Sequence, residues 1–163
     1  MKAKIELMRR TPVLSALNEE SLTFLLDYAR SVQVAANDSF FREGDQASSM
    51  FILETGSASV LKSWKGREME LRVLRAGDCF GEMALMDMFP RSASVRAQED
   101  CTAIEISPRG LVRLYGRNVE QYTLVQINLG REVCRRLREA DERLFRAGMG
   151  EVEVDRNTVF QAT

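Results

Sequence analysis

The residues of this chain best suited to chemistry are an acid and an arginine, each preceded by a residue that shapes the backbone. Glu82 follows Gly81, and Arg91 follows Pro90. A glycine allows the backbone to approach a ligand closely, because it has no side chain. Residues 82–85 can form a single helical turn, whose first N–H groups have no partner inside the helix. Such N–H groups bind anions, so the segment predicts an anion site.

The side chains of Glu82 and Arg91 complement different parts of a sugar phosphate. The fork of an arginine donates two parallel hydrogen bonds and suits phosphate oxygens. An ionised glutamate only accepts hydrogen bonds, so it suits a ribose hydroxyl. The hydroxyl of Ser92 adds one more possible contact. Simpler interpretations stay open: Glu82 as an acid that complements a helix dipole, and Arg91 as a surface arginine in a weak ion pair.

Composition favours one ordinary domain with neither a nucleic-acid nor a membrane partner. The chain has 163 residues, 45% of them hydrophobic, and a net charge of -1. Nucleic-acid binding usually requires a strongly basic face. No apolar run approaches the ~18 residues of a membrane span, and residues 1–10 lack the features of a secretory signal.

The absence of histidine excludes many kinds of catalytic site. Ser-His-Asp triads, histidine zinc sites, imidazole bases and histidine-ligated haem all require it. The three cysteines, Cys79, Cys101 and Cys134, are too few for an ordinary iron–sulfur cluster. Their odd number favours reduced thiols in a cytoplasm. We therefore expect a cytoplasmic binding protein, not an enzyme, with no metal and no cofactor.

Short β-prone runs separated by turn residues fill the segment from residue 31 to 107. Regular short strands of this kind indicate an antiparallel sandwich or barrel. Lys65-Gly66 has the character of a hairpin tip. The predicted strands are Val32–Ala35, Ser39–Phe41, Met50–Glu54, Ser57–Trp64, Glu68–Leu74, Ser92–Ala97 and Thr102–Ile106.

Helices are predicted on both sides of the strands, within residues 1–30 and 108–148. Asn18 is a good N-cap for a first helix, and Ser107-Pro108 is typical of a second helix start. A long helix follows over Val119–Arg146, and residues 149–163 form a polar tail. The last part of the long helix carries small and apolar residues at heptad spacing, which form a seam along one face. This seam packs either on the chain's own barrel or on a twin helix in a dimer. The seam residues are Gly130, Val133, Leu137, Ala140 and Leu144.

Two ion pairs are predicted on the exposed faces of the long helix. Glu132 and Arg136 are four residues apart, as are Glu139 and Arg143. This spacing is favourable in helices. Arginines on helices are usually solvated, and we expect the same of Arg136, although contact with a phosphate or a base stays open. Cys79, beside the candidate site, is expected to be a small buried residue.

The segment from residue 80 to 97 resembles the phosphate-binding cassette of cyclic-nucleotide-binding domains. Phe80-Gly81-Glu82 opens that pattern, and Arg91-Ser92-Ala93 followed by an alternating strand closes it. The resemblance extends to the turn at 41–45, the strand pair at 50–60 and the Gly-Asp turn at 74–78, and it covers roughly residues 13–146. It implies a mainly β fold with flanking helices, an antiparallel jelly-roll barrel (β-roll) closed by a long C-terminal helix.

The resemblance also implies the ligand and its contacts. The implied ligand is a 3′,5′-cyclic nucleotide, with cAMP favoured over cGMP, and it would have Glu82 on the ribose 2′-hydroxyl and Arg91 on the cyclic phosphate. Backbone groups complete the cradle at Gly81, Met83, Ala84, Ser92 and Ala93.

The sequence departs from catabolite activator-type proteins in two places. Their base-reading Thr-Ser pair falls at Ala140-Asp141, where Asp141 either accepts hydrogen bonds from guanine or is a solvated acid. About 17 residues follow the long helix, too few for a helix-turn-helix domain, so we expect no DNA-binding output. The function expected is a cyclic-nucleotide sensor, homodimeric through its long helix, acting on an unknown effector protein.

Three other functions stay open at this stage. The first is a β-roll that no longer binds nucleotide and serves as a dimerisation or docking module. The second is a cupin-type metalloenzyme, which the absence of histidine disfavours. The third is a transcription factor whose DNA-binding segment is missing.

Overall fold

The computed structural model describes residues 1–149, so the predicted polar tail lies almost entirely outside the described residues. Helices lie at both ends of the described chain, and the strands lie between them. Two single 3₁₀ turns, at Pro12–Leu14 and Glu82–Leu85, accompany the longer helices. The α-helices are α1 (Lys2–Arg10), α2 (Glu19–Asp27), α3 (Pro108–Arg117) and α4 (Val119–Gly148).

The strands form two four-stranded sheets in which all neighbours are antiparallel. They are β1 (Arg30–Val34), β2 (Ser39–Phe41), β3 (Met50–Thr55), β4 (Ser57–Trp64), β5 (Arg67–Arg75), β6 (Cys79–Phe80), β7 (Ser94–Ala97) and β8 (Cys101–Ile106). The sheet orders are β1-β8-β3-β6 and β2-β7-β4-β5. The mainly β fold with flanking helices is therefore confirmed. Within residues 1–149 the hydrogen bonds give two separate sheets, so closure into a jelly-roll barrel stays a prediction.

Two elements were not predicted from the sequence. Helix α1 has Ile5 and Met8 buried on one face, but its N-cap is Met1, which makes no side-chain capping bond, so the start of this helix has no signal like that of Asn18. Strand β6 has only two residues and is defined by its partner, because Phe80 pairs with Phe51 of β3. The strand expected to begin at Ser92 begins at Ser94.

Capping and turns follow the sequence closely. The side chain of Asn18 accepts a hydrogen bond from the backbone of Ser21 at 2.8 Å, as a helix N-cap does. Lys65 and Gly66 both adopt positive φ at the tip of the β4–β5 hairpin, and the exposed Trp64 lies beside them. Local chemistry therefore sets most element boundaries in this fold.

The hydrophobic residues form two clusters. One joins α1, α2, α3 and the start of α4 to the sheet that contains β3 and β8. The other lies between the sheets and contains Phe51 and Phe80, whose rings stack at 5.2 Å, with Phe40 and Phe41 against them. Each fully buried side chain of this size contributes about 1.5–3 kcal/mol. The phenylalanine cluster forms the floor on which the candidate site is built.

Helix α4 is packed at its start and exposed towards its end. Val125 and Leu129 are buried, and the amide of Asn128 donates to the carbonyl of Ser15 at 2.8 Å. Leu137 and Leu144 of the predicted seam are 60% and 73% exposed. The interpretation in which these two seam leucines pack on the chain's own barrel is therefore wrong. No helix of the described part of the chain is long and apolar enough to cross a membrane.

Candidate functional site

The turn that carries Glu82 begins at a glycine for a steric reason. Gly81 has φ +73°, in the left-handed region that other residues adopt only with strain. A Cβ atom added at this position would lie 2.5 Å from Nη1 of Arg91. Close approach was expected here, and the group that takes up the space is Arg91 itself. The glycine thus allows Gly81 and Arg91, which are ten residues apart in sequence, to lie in contact.

The backbone of Arg91 is held by the turn that precedes β3. The N–H of Arg91 donates to the carbonyl of Asp45 at 2.9 Å, and the N–H of Gly44 donates to the carbonyl of Arg91 at 2.9 Å. Lys62 of β4 ties the same segments together, because it donates to Glu43 at 2.5 Å and to the carbonyl of Ser92 at 2.7 Å. The expected turn at 41–45 therefore positions the arginine.

The guanidinium of Arg91 is stacked on an aromatic ring and almost covered. Its central carbon lies 4.0 Å from the ring centroid of Phe41, and its Nη1 donates to the carbonyl of Gly81 at 3.1 Å. Burial lowers the pKa of Arg91, opposed by the charges of Glu105, Asp45 and Glu82. An arginine stays protonated in proteins, so a nearly buried positive charge faces the groove.

Glu82 and Arg91 each have one buried polar atom without a hydrogen-bond partner. Their side chains belong to residues only 1% and 7% exposed. Within residues 1–149, the buried side-chain nitrogen and oxygen atoms without a hydrogen-bond partner are Oε2 of Glu82 and Nε of Arg91. Leaving such an atom unpaired costs about 1–3 kcal/mol. An orphan acceptor and an orphan donor in one site fit a ligand that carries both a hydroxyl and an anionic group.

All seven residues predicted for the site line one groove of about 1490 Å³. One wall is the segment from Gly81 to Ala93, the second is the β4–β5 hairpin, and the third is α4. Helix α4 presents Ala140 to the groove, whereas the next residue, Asp141, does not line it. Met83 lines the groove and is partly exposed, and the hydroxyl-bearing residue Ser92 is exposed beside it.

Arg136 of α4 connects the helix directly to the site. Its Nη1 donates to Oε1 of Glu82 at 2.5 Å, and its Nη2 donates to the carbonyl of Cys79 at 2.7 Å. Its Nε donates to Oε1 of Glu132 at 2.8 Å. The prediction of an exposed Glu132–Arg136 pair is therefore wrong about its place: the pair exists, but Glu132 is only 4% exposed.

A signal for this inward placement was present in the sequence. Glu132 and Arg136 continue the stripe of Val125 and Leu129 at spacings of three and four residues. Residues at such spacings share one face of a helix. The predicted seam lies on a different face of the helix, roughly 100° from this stripe.

The prediction of an ion pair between Glu139 and Arg143 on α4 is also wrong. Glu139 pairs with Arg135, and Arg143 instead donates to the carbonyl of Leu71 at 2.8 Å. Leu71 lies at an irregularity of the β4–β5 register, where Val60 faces Arg72 and Leu61 faces Glu70. A bulged residue has a carbonyl free of the ladder, so Arg143 finds an acceptor there.

Two further residues beside Glu82 were given no part in the site by sequence reasoning. Arg72 of β5 lines the groove, and burial together with the charge of Arg136 lowers its pKa. Cys79 is buried, as expected, and burial raises the pKa of its thiol to about 12. The thiol is therefore protonated at neutral pH and is not a nucleophile.

Comparison with known proteins identifies the family. The model of the cyclic nucleotide-binding domain matches residues 31–118, more than half of the chain. The cAMP-dependent protein kinase regulatory subunit of Blastocladiella emersonii is 32% identical over 123 residues, 71% of this chain and 30% of the relative. The cyclic AMP receptor protein of Thermus thermophilus is 30% identical over 135 residues, 82% of this chain and 61% of the receptor. The chain thus spans less than a third of the kinase regulatory subunits that it matches.

Solved structures agree with this assignment. A cyclic nucleotide-binding domain from Methylobacillus flagellatus KT has the same fold, with a TM-score of 0.77 at 24% identity over 88% of this chain and 82% of that one. The catabolite activator protein of Thermus thermophilus gives a TM-score of 0.74 at 29% identity, over 85% of this chain and 63% of that one. The chain belongs to the cyclic nucleotide-binding domain family.

Proposed function

We propose that this chain is a non-catalytic sensor that binds a 3′,5′-cyclic nucleotide, with cAMP favoured over cGMP. The observation that carries the proposal is the pair of orphan atoms, Oε2 of Glu82 and Nε of Arg91, at one groove. A hydroxyl donor and an anionic acceptor on one small molecule satisfy both. The names of the relatives support cAMP as the ligand.

Each residue of the site has a distinct role in this proposal. Arg91 pairs with the cyclic phosphate, and Glu82 accepts a hydrogen bond from the ribose 2′-hydroxyl. The turn that begins after Gly81 offers the backbone of Met83 and Ala84, and the backbone of Ser92 and Ala93 completes the cradle. Asp141 is exposed and takes no part in choosing the base.

The proposed signal is a change in the position of α4. Arg136 joins this helix to Glu82, a residue that the ligand must also contact. A ligand shifts a conformational equilibrium only by its difference in affinity for the two states. Competition or cooperation at Glu82 supplies such a difference, so ligand binding and the position of α4 are linked.

The proposed partner of α4 is a second copy of this chain. Leu137 and Leu144 present an apolar edge at heptad spacing, which suits a symmetric pair of helices. Repositioning of α4 would then alter the dimer and so act on an effector protein.

Calorimetric titration of ligand-free protein with cAMP, and separately with cGMP, tests the proposal. We expect micromolar or tighter binding of cAMP, weaker binding of cGMP, and a loss of about tenfold to a hundredfold in Arg91→Ala, since charged hydrogen bonds contribute about 1.5–3 kcal/mol. Arg96→Ala is the matched control: Arg96 lies on the next strand and pairs with Glu68 on the surface, so its affinity should not change.

Absence of heat from both nucleotides at millimolar concentration, in folded wild-type protein, would contradict the proposal. The exposed edge of Leu137 and Leu144 would then favour the alternative function, a dimerisation or docking module that no longer binds nucleotide. Sedimentation of the same protein would show whether it forms that dimer.

A further inference from the structure

A second buried acid, Glu132, lies on α4 outside the segment that forms the cradle. It is 4% exposed and accepts hydrogen bonds from two arginines. Arg135 donates to both of its oxygens, at 2.9 and 2.6 Å, and Nε of Arg136 donates to Oε1 at 2.8 Å. A buried carboxylate is costly unless it is paired, so Glu132 keeps both arginines beside it.

The contacts of Arg136 explain what this placement achieves. Its guanidinium is a rigid planar fork, and each of its three nitrogens donates to a different acceptor. Nε bonds to Glu132, Nη2 bonds to the carbonyl of Cys79, and Nη1 bonds to Oε1 of Glu82. With Nε and Nη2 held, the position of Nη1 is determined, and so is the oxygen of Glu82 that it occupies.

We propose that Glu132 is a positioning residue for ligand recognition: it holds Arg136 on Oε1 of Glu82 and thereby reserves Oε2 for the ribose 2′-hydroxyl. This inference rests on the proposed function. Burial opposes ionisation of Glu132, but the hydrogen bonds of Arg135 and the charge of Arg136 lower its pKa, so the carboxylate is charged at neutral pH. Charges therefore alternate along Arg135, Glu132, Arg136 and Glu82, from the exposed side of α4 into the groove.

The test is the ability of the site to distinguish cAMP from 2′-deoxy-cAMP, which lacks only the hydroxyl in question. Both are titrated by calorimetry into wild type, Glu132→Gln and Glu142→Gln. Glu142 is the matched control, because it also accepts a hydrogen bond from an arginine of α4, Arg146, but is exposed and is not among the residues that line the groove. We expect wild type and Glu142→Gln to prefer cAMP by about tenfold or more, the worth of a charged hydrogen bond. In Glu132→Gln the preference should fall below about threefold.

A merely structural role for Glu132 predicts a different pattern, in which both ligands bind more weakly and their ratio stays at the wild-type value. That outcome overturns the inference and leaves the proposed function standing. Failure of wild type to bind either ligand overturns the proposed function, and the inference with it.

Arg136→Lys provides a second route if Glu132→Gln does not fold, as judged by circular dichroism. A lysine is a single point donor and cannot hold three acceptors in one plane. We expect the same loss of preference for cAMP, and an unchanged preference in folded Arg136→Lys overturns the inference.

Discussion

Residues 119–129 and residues 132–148 belong to one uninterrupted helix, α4, yet they contact the rest of the protein through different chemistry. The first part packs Val125 and Leu129 into the hydrophobic core and bonds Asn128 to the backbone of Ser15. The second part contacts the sheets largely through two arginines. Arg136 reaches Glu82 and the carbonyl of Cys79, and Arg143 reaches the carbonyl of Leu71.

This difference bears on the proposed movement of α4. Apolar packing is lost steeply when side chains separate, because each contact with the core is replaced by water or by a void. The hydrogen bonds of Arg136 and Arg143 can be exchanged for bonds to a ligand or to water, although a buried carboxylate such as Glu82 must keep a partner. The first part of α4 is thus held by apolar packing and the second part by exchangeable hydrogen bonds, as the proposed movement of α4 requires.

The largest expected difference between the two parts of α4 comes from replacing one leucine of each part with alanine. Leu129→Ala should lower the free energy of unfolding by about 2–5 kcal/mol, because it leaves a cavity in the core. In protein dilute enough for the proposed dimer to dissociate, Leu144→Ala should change it by less than about 0.5 kcal/mol, because that side chain is 73% exposed within the single chain. Urea denaturation of both variants gives the two values. Equal and large losses in dilute protein would contradict the comparison, whereas a larger loss for Leu144→Ala in concentrated protein alone would support the proposed dimer.

The second largest effect is expected at low pH, where protonation of Glu132 should weaken the contacts of the second part of α4. The pKa of Glu132 in the folded protein lies below its ordinary value of 4.5. The unfolded chain therefore takes up the proton first, and stability present above about pH 4.5 is lost as the pH falls through the folded value. We expect the free energy of unfolding, measured by urea from pH 6 to pH 3.5, to fall less steeply in Glu132→Gln than in wild type. Equal slopes would mean that Glu132 is not the group responsible.

The smallest expected effect lies at the junction of the two parts. Gly130 is within α4, and a Cβ atom added there meets no atom within 4 Å in the described part of the chain. In dilute protein, Gly130→Ala should therefore raise the free energy of unfolding by about 0.5–1 kcal/mol, because alanine favours a helix over glycine. Thermal melting measures the change. A lower melting temperature in dilute protein would contradict this prediction, whereas a decrease seen only in concentrated protein would place Gly130 in the proposed dimer.

Prediction from sequence succeeded where the signal was local. The strands on either side of Lys65-Gly66, the cap at Asn18 and the turn of residues 82–85 depend on propensity and hydrogen bonding within a few residues. The seven site residues were also located in one groove, because the short segment from 81 to 93 contains them all. The two-residue strand β6 and the short helix α1 were missed, since each is defined mainly by packing against distant residues.

The placement of charges on α4 was the main error, and it has a clear cause. Spacing of four residues shows that Glu132 and Arg136 share a helix face, but it does not show whether that face meets solvent or a buried carboxylate. Glu82 lies fifty-four residues from Arg136 in sequence, so only folding brings its charge to that face. The same holds for Arg143, whose acceptor at Leu71 exists because the strand pairing is irregular there.

The amino-acid sequence by itself determined the class of fold and the family resemblance, and it supplied the residues proposed for the cradle, because these depend on short motifs and on local periodicity. Only the tertiary structure decided that Gly81 makes room for Arg91, that Oε2 of Glu82 and Nε of Arg91 stay unpaired, and that α4 reaches the site through Arg136. Burial and long-range pairing set these features, and both depend on the positions of atoms that are distant in sequence. The residue types therefore suggested the proposed ligand, and the fold showed that α4 is joined to Glu82 through Arg136.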